Sequence, residues 1–261
     1  MTSPSPSSHR SDPVERAGFV APQWDYSRLE NAEPIEVIRW VVRTIERLAV
    51  ATSFQSSGLV ILHQMKTLAP GIPVLFLDTG FHFDETLEFR DRITKQWGLN
   101  IVNLRGEHGS PGRQAELYGL DLYLRDPNRC CAMNKVEPLQ KELEGYDGWI
   151  SGLRRDQSPL RAHTPIVEAQ LLPSNNEILK IHPLANWTRD DVNRYVADHE
   201  IPTHPLLEQG YASVGCQPCT APLDPHEHDE RAGRWVGFNK NECGIHSFGK
   251  SGGARETEAE Q

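Results

Sequence analysis

Residues 48–68, LAVATSFQSSGLVILHQMKTL, and residues 73–80, PVLFLDTG, together hold one complete unit of an α/β fold. The first stretch opens on residues 48–52, small, apolar and short enough for a buried strand. Residues 53–58 form a polar turn of mostly small side chains, and an apolar helical pattern then runs to Leu68. Residues 73–80 return to an unbroken apolar run, as a strand covered on both faces requires, and close in Asp-Thr-Gly. Strand, helix and strand in that order make parallel neighbours, because a parallel pair needs a crossover. In such sheets ligands bind beyond the carboxyl ends of the strands. SFQSSG and LDTG both fall there.

Working outward, residues 34–48 carry helical periodicity, residues 84–97 predict a helix and residues 100–104 a strand. The theme repeats with a helix over 131–144, a strand over 146–151, and ILKIHPL as a strand on or near the sheet. A helix over 188–200 is started by the capping sequence TRDD. After Pro202 the chain is rich in loops. The expected fold is α/β, an open, mostly parallel sheet with helices on both faces, plus a mobile C-terminal segment. Residues 1–20 read as a flexible lead, 21–225 as a single domain, and 226–261 as a C-terminal tail whose last residues, GGARETEAEQ, are disordered.

A chain of 261 residues with 38% hydrophobic content can bury one sizeable core. Its formal net charge of -9 argues against nucleic acid or an acidic membrane as a general partner. An anionic small substrate stays compatible, because local arginines set a pocket's potential. Neither a secretory leader nor a long apolar span is visible, so the expected compartment is the cytoplasm. Thiols stay reduced there, and five cysteines then read as ligands or reactive groups before disulfides.

Cys216 and Cys219 form CQPC, a spacing that suits a metal or a redox pair. Cys130 and Cys131 are adjacent, and two adjacent ligands need a helix end or a kink, which RDPNR before them supplies. The two pairs could build a four-thiolate site for zinc or an iron–sulfur cluster, take part in vicinal redox chemistry, or simply fill the core. The fifth thiol, Cys243, lies in NECGIH. SFQSSG offers small side chains and free N–H groups at a helix start, an anion cradle without the lysine of a Walker loop. On its own, Asp78 reads as a cap or turn residue, and His82 as packing. The histidines of PHEHDE, His226 and His228, read as exposed loop.

The layout CC, then about eighty residues, then CxxC, then a terminal ECG-aliphatic-His resembles the assimilatory sulfonucleotide reductases, within the adenine-nucleotide alpha-hydrolase-like superfamily. LDTG, CCAMNKVEPL, SGLRRDQS, GCQPCT and NECGIH occur in the family's order over residues 53–246. The likeness is greatest to the cluster-bearing, thioredoxin-dependent adenylyl-sulfate branch. The resemblance implies one [4Fe–4S] cluster on Cys130, Cys131, Cys216 and Cys219, with Cys243 as nucleophile and Lys135 and His246 assisting. It implies nucleotide contacts from Ser53, Phe54, Gln55, Ser57, Leu77, Asp78, Thr79, Gly152, Arg154, Arg155, Arg231, Arg234 and Lys240. His246 and Lys240 could favour the Cys243 thiolate by charge, and His246 could instead close a lid or fill space. The implied reaction reduces adenylyl sulfate to sulfite and AMP through an S-sulfocysteine, with an external thioredoxin or glutaredoxin-like protein as reductant. The 3'-phosphorylated substrate and a zinc-stabilised nucleotide-binding protein without turnover are the alternatives. A homo-oligomer is compatible with all three.

Overall fold

The computed structural model of the chain describes residues 26–224, 226–227 and 229–249. The expected flexible lead, the sequence GGARETEAEQ and His228 lie outside the described residues. Six strands form one sheet: β1 (Leu48–Ala51), β2 (Pro73–Leu77), β3 (Asn100–Leu104), β4 (Gly148–Ser151), β5 (Val167–Leu171) and β6 (Glu177–Ile181). Their order is β3-β2-β1-β4-β6-β5, parallel throughout except for the antiparallel edge strand β5. The chain runs from β1 out to β2 and β3, then returns to lay β4 on the other side of β1. That reversal opens a crevice between the carboxyl ends of β1 and β4, where open α/β sheets bind ligands.

Alternation along the strands divides the core into two layers. Val50, Phe76, Ile150, Leu179 and Ile181 pack on one face with residues of helices α1 (Pro34–Thr44), α2 (Ser56–Leu68) and α3 (Asp84–Trp97). Ala49, Leu75, Trp149 and Ile178 pack on the other with Leu139 and Leu143. The expected sheet with helices on both faces is the fold found. Along α4 (Pro111–Tyr118), α5 (Leu122–Arg125) and α6 (Pro127–Cys131) the chain reaches the paired cysteines, and α7 (Glu137–Leu143) and α8 (Arg189–Asp198) complete the helices used below.

Three local readings differ from the expectation. α1 stops at Thr44 because Ile45 is already extended. Arg47 is then tied to Asp147, its side-chain Nε lying 2.9 Å from that carboxylate, which pins the entry to β1. The helix expected over 131–144 is interrupted by a π turn, Ala132–Val136. Pro138 follows it and lacks the N–H that a regular helix would need. A π turn rotates the side chains that follow it, and it often marks a functional site. β5 was not expected: VEAQL is too polar to stand out, yet it covers the sheet edge. Among the described residues, no helix is long and apolar enough to cross a membrane.

Gly152, just beyond β4, lets the start of α2 approach closely. A Cβ there would sit 3.1 Å from Gly58 N and 3.2 Å from the Ser57 backbone carbon. Gly152→Ala is therefore expected to cost about 1–3 kcal/mol through overpacking, seen as a lower midpoint in chemical denaturation.

Candidate active site

A cleft of about 780 Å³ opens over the carboxyl ends of β1, β2 and β4. Of the residues proposed from sequence, Ser53, Gln55, Ser57, Leu77, Gly152, Arg154, Arg231, Arg234, Lys135, Cys243 and His246 line it. The loop after β1 supplies the first three. The Gln55 side chain bonds Val214 in both directions, donating to its carbonyl and accepting from its N–H at 2.8 Å each. That pair holds the strand-end turn against the loop leading to Cys216. Arg154 is only 4% exposed. It donates to Ser57 Oγ at 2.7 Å, to Asp156 at 2.9 Å and to Glu230 at 3.0 Å. The first turn of α2, with its unpaired N–H groups, thus faces the cleft beside a buried guanidinium, an arrangement suited to an anion.

Five proposed residues stand elsewhere. Phe54, at φ 59°, is fully buried against Phe76. Its aromatic ring serves the core and leaves its polar neighbours in the cleft. Asp78 accepts from Arg105 at 2.7 Å and from Gly80 N at 3.2 Å. Burial works against its charge, yet those bonds hold its carboxyl below the usual range. Thr79 turns toward the paired cysteines, its Oγ1 3.3 Å from Cys216 Sγ. Arg155 points away from the cleft, donating to the Thr164 carbonyl at 2.7 Å and to Glu30 at 2.7 Å. Lys240 bonds Asn128 and lies 5.4 Å above the Trp235 ring. The two neighbouring arginines therefore predict opposite results. Arg154→Ala is expected to weaken nucleotide binding about tenfold or more, as loss of a charged hydrogen bond does. Arg155→Ala is expected to lower the melting midpoint and leave nucleotide affinity unchanged.

Sequence reasoning missed six charged residues of this cleft, Arg161, Arg189, Asp224, Glu227, Glu230 and Glu242, of which Arg161, Arg189, Glu230 and Glu242 form ion pairs across it. Arg161 donates to Glu242 at 2.6 and 2.7 Å in a two-point pair. Arg231 approaches the same carboxylate at 3.4 Å and donates to the Asn241 carbonyl at 2.7 Å. Burial, reinforced by the nearby Arg161 charge, pushes Arg231 down to about 10. Glu230 serves Arg154 and also Arg189, at 3.4 Å. Glu242 adjoins Cys243 in a motif already singled out, so its position was the available signal. Nothing in the spacing of SPLRAH distinguishes Arg161.

Carboxylates thus engage Arg154, Arg161, Arg189 and Arg231. Arg234 is differently placed: it reaches Ser213 Oγ only at 3.4 Å, stacks 4.6 Å over Trp235, and its buried Nε has no partner. Buried polar atoms of His82, Trp235 and His246, which also line the cleft, are likewise unpartnered. Such orphan atoms are uncommon in native interiors. Their convergence on one cleft marks it as the place for a polar ligand. The His246 ring stacks on Trp149 at 6.5 Å and 8°. Burial first, then Lys180 and Arg161, push its imidazole well below the ordinary histidine range. It is neutral there and brings no positive charge to Cys243.

Beside the cleft lies a second, small void lined by Cys130, Cys131, Cys216 and Cys219 together. Lys135 and Trp235 line both spaces and so form the wall between them. All four cysteines are free thiols. Burial pushes Cys131 up to about 12 and Cys219 up to about 11. Amide donors from Gln114, at 3.8 Å, and Asn134, at 3.6 Å, point at Cys130 Sγ. Among the described residues, no three His, Cys, Asp or Glu side chains gather as a site for a single metal ion. The four sulfurs surround a space, with N–H and O–H groups directed at two of them.

A family model described as the phosphoadenosine phosphosulfate reductase domain matches residues 47–222. The chain belongs to this family. The family match takes in β1, the cleft turns and all four paired cysteines. Curated relatives extend the likeness into the C-terminal segment. The adenosine 5'-phosphosulfate reductase of Streptomyces coelicolor is 43% identical over 89% of this chain and 93% of its own. That of Mycobacterium tuberculosis is 44% identical over 85% and 91% respectively. Among solved structures, the phosphoadenylyl-sulfate reductase of Candida auris, in a phosphate complex, superposes with a TM-score of 0.68 at 26% identity, covering 78% of this chain and all of that one. Candida glabrata FMN adenylyltransferase shares the fold alone, with a TM-score of 0.54 at 13% identity over 77% of this chain and 74% of that one. As a member of the sulfonucleotide reductase family, the chain is an enzyme.

Proposed function

We propose that this enzyme reduces adenylyl sulfate to sulfite and AMP, with Cys243 as nucleophile and two electrons drawn from a thioredoxin-type dithiol. The observation that carries the reading is the division of the thiols. Four line the small void, whereas Cys243 alone of the five lines the cleft, with Lys135, Arg231 and Arg234. The names of the curated relatives support adenylyl sulfate over its 3'-phosphorylated form; the Candida auris likeness supports the latter as a second reading.

The Cys243 thiolate attacks the sulfate sulfur, the bond from that sulfur to the bridging phosphate oxygen breaks, and AMP leaves with its electron pair. Cys243 then carries a sulfonate. A partner thiolate attacks the Cys243 sulfur, sulfite departs with the S–S bonding pair, and a mixed disulfide remains. The partner's second thiol resolves it, restoring Cys243 and leaving the partner oxidised. Approach of a thiolate to a polyanion needs fixed positive charge, supplied by Arg234, Arg231 and Lys135. The α2 turn and Arg154 suit the nucleotide phosphate. His246 is neutral, so its part is to pack on Trp149.

The donor set fits an iron–sulfur cluster better than a lone ion, since four thiols surround one void and amides face Cys130. Cys130, Cys131, Cys216 and Cys219 would hold a [4Fe–4S] cluster, which when bound supplies fixed charge and order beside Lys135. The cytoplasm is the compartment in which these thiols stay reduced.

The test is to mix anaerobically purified enzyme with sulfur-labelled adenylyl sulfate, without reductant, and map the label by peptide mass. A sulfonate on Cys243, released as sulfite by added thioredoxin, is expected together with brown cluster absorbance. A colourless protein without the adduct would overturn the reading. Turnover with the 3'-phosphorylated substrate, compared side by side, decides between the two nucleotides.

A further inference from the structure

The face of the sheet under the C-terminal segment carries polar residues that a sheet core does not need. Trp149 on β4, Lys180 on β6 and Glu168 on β5 are register partners and form one row across three strands. Gln170 lies two residues along from Glu168. Lys180 is 0% exposed and Gln170 2%. Burying an ammonium and an amide is costly unless each is matched to partners. Lys180 Nζ meets Glu168 at 3.2 Å and lies 5.1 Å over the Trp149 ring. Against the burial that would raise it, the His182 hydrogen bond and the Lys180 charge hold the Glu168 carboxyl down to about 2.

The remaining bonding capacity of this row points at the chain just after Cys243. Lys180 Nζ donates to the His246 carbonyl at 3.3 Å. Gln170 accepts from Trp149 Nε1 at 3.0 Å, which fixes its amide, and donates through Nε2 to the Phe248 carbonyl at 2.7 Å. Leu171 N donates to the Gly249 carbonyl at 2.9 Å. Ile245 and Phe248 pack on the Trp149 layer. Gly249 has φ 65°, and a Cβ there would meet Leu171 O at 2.1 Å, so only glycine fits. On the other side of Cys243, Glu242 is held by Arg161. The cysteine is therefore strung between two anchors.

We propose that Gln170, oriented by Trp149, and Lys180 are positioning residues whose donors fasten residues 246–249 to the sheet and so hold Cys243 in the cleft. This rests on Cys243 being the nucleophile. The front anchor is an ion pair among cleft arginines, where an anionic substrate competes. The rear anchor is buried, lies outside the arginine set and keeps its hold when the cleft fills.

The test reads the rear anchor without substrate. Gln170→Met removes the donor at similar length, and Gly249→Ala blocks docking from the other side while leaving every sheet residue unsubstituted. In full-length enzyme, each is expected to speed iodoacetamide alkylation of Cys243, followed by peptide mass, about three- to tenfold, the equilibrium weight of one hydrogen bond. The double variant is expected to be no faster than the single ones, because both break one device. In turnover, kcat should fall while AMP affinity holds. Wild-type alkylation rates in Gly249→Ala, or increases that multiply in the double variant, would overturn the proposal. So would a loss of AMP affinity in Gln170→Met with unchanged alkylation, which marks a residue serving the fold. Because alkylation needs no turnover, failure here is distinguishable from failure of the proposed reaction.

Discussion

Cys243→Ser is expected to abolish turnover, by at least about 10⁴-fold, the order seen when a covalent nucleophile is removed. A serine hydroxyl is a weak nucleophile without an adjacent base, whereas a cysteine is a few per cent thiolate at neutral pH and intrinsically reactive. His246 offers little help as a base, since burial and its cationic neighbours hold its imidazole well below the ordinary histidine range. Nor can another thiol take over. Cys130, Cys131 and Cys216 are buried, and Cys219 lines the separate void beside them. The substitution removes one atom's chemistry and little volume, so AMP affinity should stay within about twofold, as for a change that breaks no bonded network. Sulfite release and AMP calorimetry, run on one preparation, give both readouts. Activity retained in the serine variant would mean that the cleft works without a covalent intermediate.

The frame of the molecule was legible because its signals are local. A buried parallel strand is a short apolar run closed by turn residues, and residues 73–80 hold β2 with its LDTG end. The helix Asp84–Trp97 and the strand Asn100–Leu104 have the bounds read from periodicity alone. The pairing of CC with CQPC around one void also followed from spacing and family resemblance. What escaped was set by tertiary contacts. Strand β5 is polar because its side chains serve the tail and β6, so its pattern matches no simple template. Arg154 and Arg155 are chemically identical neighbours, and only the turn after β4 sends one into the cleft and the other toward Glu30. Arg161 and Glu242 meet across 81 positions of sequence. The tail read as loose because polar residues near a terminus usually are. Its docking depends on Gln170 and Lys180, far away in the chain.

Lys135→Met is expected to lower kcat about 10²- to 10³-fold with a much smaller rise in KM, the range found when one preorganised charge is removed from a reacting centre. Lys135 sits in the π turn after the paired cysteines and faces both the void and the cleft. Burial works against its charge, whereas the neighbouring sulfurs of Cys216, Cys243 and Cys131, when ionised, hold it above the ordinary lysine range. At an effective dielectric of about 20, two unit charges about 4 Å apart interact by about 4 kcal/mol. A charge that develops only as the thiolate meets the sulfate would feel most of that in the transition state, whereas the ground-state nucleotide keeps Arg154, Arg231 and Arg234. The loss therefore belongs in kcat. Methionine keeps the length and apolar stem, so the melting midpoint should change little. Lys135→Arg should recover only part of the rate, because a planar fork replaces a compact point charge in a confined wall. A methionine variant that turns over at the wild-type rate would place the reacting sulfur away from this wall, among Arg161 and Arg231. A variant that loses both rate and the visible absorbance expected of a cluster on the paired cysteines would show that Lys135 serves the void instead of the cleft.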